Sequence, residues 1–183
     1  AGLTNVTTLT YFHFDNNALS GTLPANIGDM SSLKKLYLSY NSIGGDFPAS
    51  VSQLTALTEL DVSNNALTGA FPDICGMVSP SDVRMSNNDL TGGVPDCLGN
   101  AAWTGLSILR LNGNGFDGQI PGSLVNLTGL TELDLSQNEF TGGFPAWVTS
   151  QPTLATVNLA GNRLSGAVPE LTGNVQELII SDN

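Results

Sequence analysis

Apolar residues recur along this chain on a grid marked out by asparagine. Aligned on Asn17, Asn41, Asn65, Asn88, Asn114, Asn138, Asn162 and Asn183, the chain repeats at intervals of 24, 24, 23, 26, 24, 24 and 21 residues. Before each Asn come three apolar positions: Leu9, Phe12 and Phe14; Leu33, Leu36 and Leu38; Leu57, Leu60 and Val62; Leu106, Leu109 and Leu111; Leu130, Leu133 and Leu135; Leu154, Val157 and Leu159. The fourth repeat keeps Val83 and Met85 and places Pro80 in the first slot. In a segment such as Leu133-Asp134-Leu135 the alternation sends both leucines inward and Asp134 outward, as a short strand requires. After each Asn come an apolar residue, a Gly and a Pro, as in Leu19, Gly21 and Pro24 or Phe140, Gly142 and Pro145. Seven of the nine prolines fall on this grid and punctuate it.

A period of two dozen residues with one strand each predicts coils stacked about 4.8 Å apart, with a parallel sheet on the concave face. The recurrent Asn sits where the chain leaves the strand, where its amide can satisfy backbone groups that the turn leaves unpaired. Gly frees the bend, and Pro stands where no ladder continues. No coil can bury its own apolar face, so neighbours supply the stability. The expected architecture is an α/β solenoid forming one domain over residues 1–183, with seven full repeats and a partial eighth. Neither end carries a recognisable cap, so the chain reads as a fragment of a longer protein.

Charge narrows the partners. Five Lys plus Arg against sixteen Asp plus Glu give a net charge of −11, which repels phosphate backbones and anionic lipid. Nucleic acid and membrane surfaces are therefore poor partners. Apolar residues at 40% suffice for a core. No apolar run reaches the length of a membrane span, and no export signal is visible at the amino terminus.

The string Asn17-x-Leu19-x-Gly21-x-x-Pro24, recurring seven times, resembles the plant-specific class of leucine-rich repeats. That class occurs in receptor-like kinases, receptor-like proteins and polygalacturonase inhibitors. The resemblance covers the whole chain and implies a right-handed superhelix with a second short sheet on one flank. It also implies 3₁₀ or irregular helical turns on the convex side. Two details look like the receptor-like proteins. Phe144-Pro145-Ala146-Trp147 is the weaker. The other is a pair of cysteines at nearly equivalent positions one repeat apart, in Pro72-Asp73-Ile74-Cys75-Gly76 and Pro95-Asp96-Cys97-Leu98-Gly99. With an extracellular family they point to a Cys75–Cys97 disulfide. The alternative is a buried free Cys75 in the slot that Ile27, Val51 and Val148 fill, with an unrelated Cys97 beside it. Asn5-Val6-Thr7 and Asn126-Leu127-Thr128 are N-glycosylation acceptors, so N-linked glycans at Asn5 and Asn126 are expected.

Candidate ligand-binding residues follow from the strand columns. The slot between the inward residues runs His13, Tyr37, Asp61, Arg84, Arg110, Asp134, Asn158 and Ile179; two positions earlier it runs Tyr11, Lys35, Glu59, Asp82, Ile108, Glu132, Thr156 and Glu177. Four of the five basic residues, Lys34, Lys35, Arg84 and Arg110, thus lie on the strands of an acidic protein. Tyr11, His13, Lys35, Tyr37, Tyr40, Arg84 and Arg110 form the candidate recognition stripe, since Tyr and Arg are favoured interface anchors. A structural reading competes: Lys35 beside Glu59, Asp61 beside Arg84, and Arg110 beside Asp134 are opposite charges on adjacent strands that support a sheet. Arg84 beside Arg110 is the exception, to be separated by a bulge from the 26-residue repeat that carries Trp103, or bridged by an anionic ligand group.

His13, the only histidine, has no partner for a metal site or a nucleophile to serve, so no metal and no catalytic residue is expected. Gly113-Asn114-Gly115-Phe116-Asp117-Gly118 matches a dinucleotide fingerprint in letters only, because the repeat already explains Asn114 and Gly118. No cofactor is expected. The sequence thus points to a non-enzymatic recognition module, secreted or on the extracellular side of the plasma membrane or in the cell wall. It would bind a protein or peptide, with a co-receptor or a second copy as further partners. The alternative is a structural matrix, cell-wall or fibre component. Polysaccharide or ice binding stands lower because the strand columns are mixed, apart from the serines at 39, 63, 86, 136 and 181, and enzyme inhibition stands lower because the turns and caps expected of polygalacturonase inhibitors are not all here.

Overall fold

The computed structural model describes residues 6–168, 170 and 172–183; Asn5 and Pro169 lie outside them. Eight three-residue strands, one per repeat, form a single parallel sheet in strict chain order, from Tyr11–His13 through Glu59–Asp61 and Ile108–Arg110 to Glu177–Ile179. The chain is the expected leucine-rich-repeat solenoid. Every neighbouring pair keeps the register of the columns, as in Tyr37 beside Asp61 and Asp61 beside Arg84.

The inward residues make one continuous core. Leu36, Leu60, Val83, Leu109, Leu133 and Val157 at strand centres are all buried. Covering each such side chain is worth about 1.5–3 kcal/mol, and it requires a coil on either side. The first coil shows what happens without that cover among the described residues. Phe14 is 41% exposed, whereas Leu38, Val62, Met85, Leu111, Leu135 and Leu159 in the same slot are buried. Its inward placement on the grid is therefore not matched by burial.

The asparagine ladder carries the turns. Asn138 accepts the backbone N–H of Phe116 in the preceding coil at 3.0 Å. It donates to the carbonyls of Leu111 in that coil and of Leu135 and Ser136 in its own, each at 3.1 Å. The same set recurs at Asn41, Asn65, Asn88, Asn114, Asn162 and Asn183. The residue just before each ladder Asn is left-handed: Asn16, Tyr40, Asn64, Asn87, Gly113, Gln137, Gly161 and Asp182 have φ between +53° and +67°. A few residues later the grid glycines, Gly21 among them, take positive φ again, which lets the chain bend out of the ladder.

Beyond the bend lies the second, flanking sheet. It has five parallel strands, Ser20–Thr22, Ser42–Asp46, Ala66–Ala70, Asp89–Gly93 and Gly115–Asp117. A further pair, Thr141–Gly143 and Arg163–Ser165, continues it through a bridge from Gln119 to Thr141. Short 3₁₀ turns line the convex side, among them Ile27–Asp29, Ala49–Gln53, Gly122–Asn126 and Ala146–Ser150.

Three coils depart from the common length of 24 residues, and the 26- and 23-residue ones adjust on the convex side. The 26-residue repeat fits its extra residues into two 3₁₀ turns, Asp96–Gly99 and Ala101–Trp103, with the Trp103 ring wholly buried. No bulge reaches the concave sheet, and Arg84 stays in direct register with Arg110. The expected separation of these two arginines does not occur. In the 23-residue repeat the helical turn is replaced by a tight turn in which the Ile74 N–H donates to the Pro72 carbonyl at 2.8 Å. Ile74 takes the core slot that Ile27, Val51 and Val148 fill, and Cys75 is only half-buried beside it. The free-thiol alternative fails on both counts, since Cys75 and Cys97 are joined by a disulfide with Cα atoms 5.7 Å apart.

Candidate functional site

Six of the candidate residues stand within the concave strands, and Tyr40 stands three residues past the second. They divide into two groups. At the amino-terminal end, the rings of His13 and Tyr37 stack at 4.4 Å and Tyr11 meets His13 edge-on at 6.3 Å. The Lys35 ammonium lies 5.8 Å from the centre of the Tyr11 ring, within cation–π range, and 2.7 Å from a Glu59 carboxylate oxygen. The Tyr37 hydroxyl donates to the other Glu59 oxygen. Glu59 is the hub: burial pushes its carboxyl up, but hydrogen bonds from Lys35 and Tyr37 outweigh this and hold it below the usual range. Burial first, then the Glu59 carboxylate, push the Tyr37 hydroxyl well above its ordinary value.

The second group lies in mid-sheet. Arg84 is held by Asp82 of its own strand through Nε at 2.9 Å and Nη2 at 2.7 Å. Arg110 is held by Glu132 of the next strand through Nε and Nη2. Both guanidinium groups sit above their ordinary range, chiefly because of these carboxylates. Burial keeps Asp82 itself above its ordinary range, and the Arg84 contacts only partly offset this.

Of the three expected cross-strand ion pairs, Lys35 with Glu59 forms. Asp61 does not bond Arg84, and Asp134 does not bond Arg110. Asp61 and Asp134 instead accept backbone N–H groups two residues on, at Ser63 and Ser136, each at 3.0 Å, which fixes the strand exits. The neighbouring arginines escape mutual repulsion because each turns to its own carboxylate, without a bulge or a ligand. Column position reveals which Cβ atoms are adjacent, but a long guanidinium can reach a residue two along the same strand face. That i, i+2 relation, present in Asp82-Val83-Arg84, is the signal that names Asp82.

Around the second group the concave face holds a depression of about 370 Å³ running from Tyr40 and Asp61 past Arg84 and Arg110 to Glu132 and Asp134. Tyr40 is 59% exposed at its rim with φ +55°. Asn64 and Asn87 line the same rim, linked by a 2.9 Å hydrogen bond. The serine column is not a repeated surface array: Ser39, Ser63, Ser86 and Ser136 are buried, and Ser181 alone is exposed. Asn126 stands exposed on the convex side and donates to the Gly99 carbonyl at 3.1 Å. Among the described residues, no three His, Cys, Asp or Glu side chains gather to hold a metal ion.

A leucine-rich-repeat family model matches residues 7–67, and a second matches residues 105–127 and 129–150. The chain belongs to the leucine-rich-repeat family, and to its plant type. Three solved structures carry the likeness further. The Arabidopsis receptor kinase HAESA, in complex with the peptide hormone IDA and the co-receptor SERK1, is 33% identical over 96% of this chain and 30% of that chain, with a TM-score of 0.90. The plant peptide hormone receptor RGFR1, in complex with RGF2, is 29% identical over 99% of this chain and 37% of its own, with a TM-score of 0.71. A plant ice-binding protein is 29% identical over 97% of this chain and 58% of its own, with a TM-score of 0.86. The chain spans 30% and 37% of the two receptors' lengths. None of the curated protein sequences compared with it matches.

Proposed function

We propose that the chain is an extracellular, non-enzymatic recognition module whose concave face binds a protein or peptide. The observation that carries this is the placement of Tyr40, Arg84 and Arg110 around one depression on the parallel sheet, with Tyr37 lining an adjoining one that shares Asp61 and Arg84. Strands fixed by a core and an asparagine ladder present their outward side chains in a geometry that needs no ordering on binding, so less affinity is lost. The receptors it resembles are complexed with peptide hormones, which supports the same use. The Cys75–Cys97 disulfide suits an oxidising compartment, and a glycan at Asn126 would lie on the convex side, clear of the concave strands. A matrix or fibre role has no comparable support.

The plant ice-binding relative invites a second reading, in which a repeated hydroxyl array meets a regular surface. The serine ladder does not supply it, because four of its five members are buried, with the Ser86 hydroxyl bonding Asn112 and the Ser136 hydroxyl bonding Asp134.

The test is selection of binders from a displayed library of random twelve-residue peptides, followed by rebinding to a variant carrying Arg84→Glu, Arg110→Glu and Tyr37→Ala whose thermal unfolding has been checked. Binding should be lost for most selected peptides. Peptides that bind the variant as tightly as the parent protein would place recognition elsewhere and end the proposal.

A further inference from the structure

The depression has a charge order that specifies its occupant. Along the central column the outward groups on four consecutive strands are Asp61, Arg84, Arg110 and Asp134. Each aspartate spends Oδ1 on a strand exit and leaves Oδ2 without a hydrogen bond among the described residues. Each arginine spends Nε and Nη2 on its carboxylate and leaves Nη1 likewise unbonded. The face is therefore prepared as a fixed pattern: a free carboxylate oxygen at either end and, between them, two ion-paired arginines with free Nη1 donors. Three strand spacings of about 4.8 Å separate the two aspartates by roughly 14 Å.

An extended peptide advances about 3.3 Å per residue and shows alternate side chains to one side, so residues i and i+4 on one face stand roughly 13 Å apart. Laid across the strands, such a segment puts its ends over Asp61 and Asp134 and its midpoint over the arginine pair. Tyr40 closes one wall. Its left-handed backbone supports a ligand-facing role, since this is a conformation that a bulky side chain adopts at a cost, and five of the other seven coils place Asn or Gly there.

We infer that this trough takes an extended peptide segment with basic side chains four residues apart and a carboxylate side chain midway between them. The inference rests on the concave-face reading above and adds the chemistry of the ligand. The net charge of −11 favours approach of a segment with a net positive charge. Asp61, Asp82, Glu132 and Asp134 outnumber the two arginines, so the trough repels a purely anionic ligand, while the unbonded Nη1 groups can still donate to one carboxylate flanked by cations.

Two immobilised nine-residue probes test it: one with lysine at positions 3 and 7 and glutamate at 5, and one with these charges inverted. At low salt the first should bind at least tenfold more tightly, and the gap should narrow as salt is raised. Asp61→Asn combined with Asp134→Asn should cut that preference at least fivefold, and Tyr40→Asn should weaken the first probe while leaving the fold intact. Equal binding of the two probes, binding of neither, or a preference unchanged in the double variant would overturn the inference. The peptide library separates this from failure of the broader reading. Selected peptides that depend on Arg84, Arg110 and Tyr37 yet show no charge triplet would sink the charge pattern alone, while peptides indifferent to those residues would sink both.

Discussion

Replacing Asn138 by alanine removes four hydrogen bonds, but the loss is uneven. The Leu135 carbonyl keeps Asn162, the Leu111 carbonyl keeps Asn114, and the Ser136 carbonyl keeps the Gly113 N–H. Only the Phe116 N–H, whose residue is wholly buried, is left without a partner. An orphaned buried donor costs about 1–3 kcal/mol, and three weakened carbonyls add about 0.5 kcal/mol or more each, so Asn138→Ala should cost about 3–4 kcal/mol. Asn138→Asp sharpens the reasoning. It retains an acceptor for Phe116 but turns a carboxylate toward three carbonyl oxygens, so at pH 7 it should destabilise at least as much as alanine. The new carboxyl is buried without a cation, so its folded pKa lies above its unfolded value. Its contribution is then favourable below the unfolded value and lost as pH rises through the folded one, and the deficit of Asn138→Asp should shrink toward pH 4. Urea unfolding followed by circular dichroism gives the stabilities, and hydrogen exchange of the Phe116 amide reports the orphan directly. An alanine cost under about 1 kcal/mol, or an aspartate variant more stable than alanine at pH 7, would refute the ladder as the source of turn stability.

Tyr40→Asn should raise stability by about 0.5–1 kcal/mol in the same urea assay, because asparagine tolerates the left-handed backbone better; a loss would show that the ring packs more than it strains. Cys75→Ser with Cys97→Ser opens a link across a sequence separation of 22 residues and should cost about 3 kcal/mol. An unchanged midpoint would mean that the bridge constrains little. Tyr37 should ionise above the ordinary tyrosine range, and Glu59→Gln should lower its midpoint in ultraviolet titration. Since the folded value is raised, Tyr37 adds stability that is full below the ordinary value near 10 and is lost as pH rises toward the folded value.

The fold was legible because a solenoid writes its geometry directly into spacing. Each ladder Asn from Asn41 onward must meet the preceding coil at one position, so Asn17 to Asn183 stay in phase even where one coil gains residues and two others lose some. Side-chain destinations were less legible, for reasons that differ by residue. Counting three positions on from Pro72 put Cys75 in the core, but the short coil lacks a helical turn, and Ile74 fills the slot. Column adjacency paired Arg84 with Asp61, whereas the guanidinium reaches Asp82 along its own strand and gains two hydrogen bonds in place of a single contact.

Tyr40 sits between these cases. The column that precedes the ladder reads Asn16, Tyr40, Asn64, Asn87, Gly113, Gln137, Gly161 and Asp182, and Asn and Gly are the residues that most readily accept positive φ. The column therefore states its backbone requirement, and Tyr40 is the one aromatic in it. Nothing in the scaffold asks for an aromatic ring at this position, which is why the proposed recognition surface is centred on Tyr40.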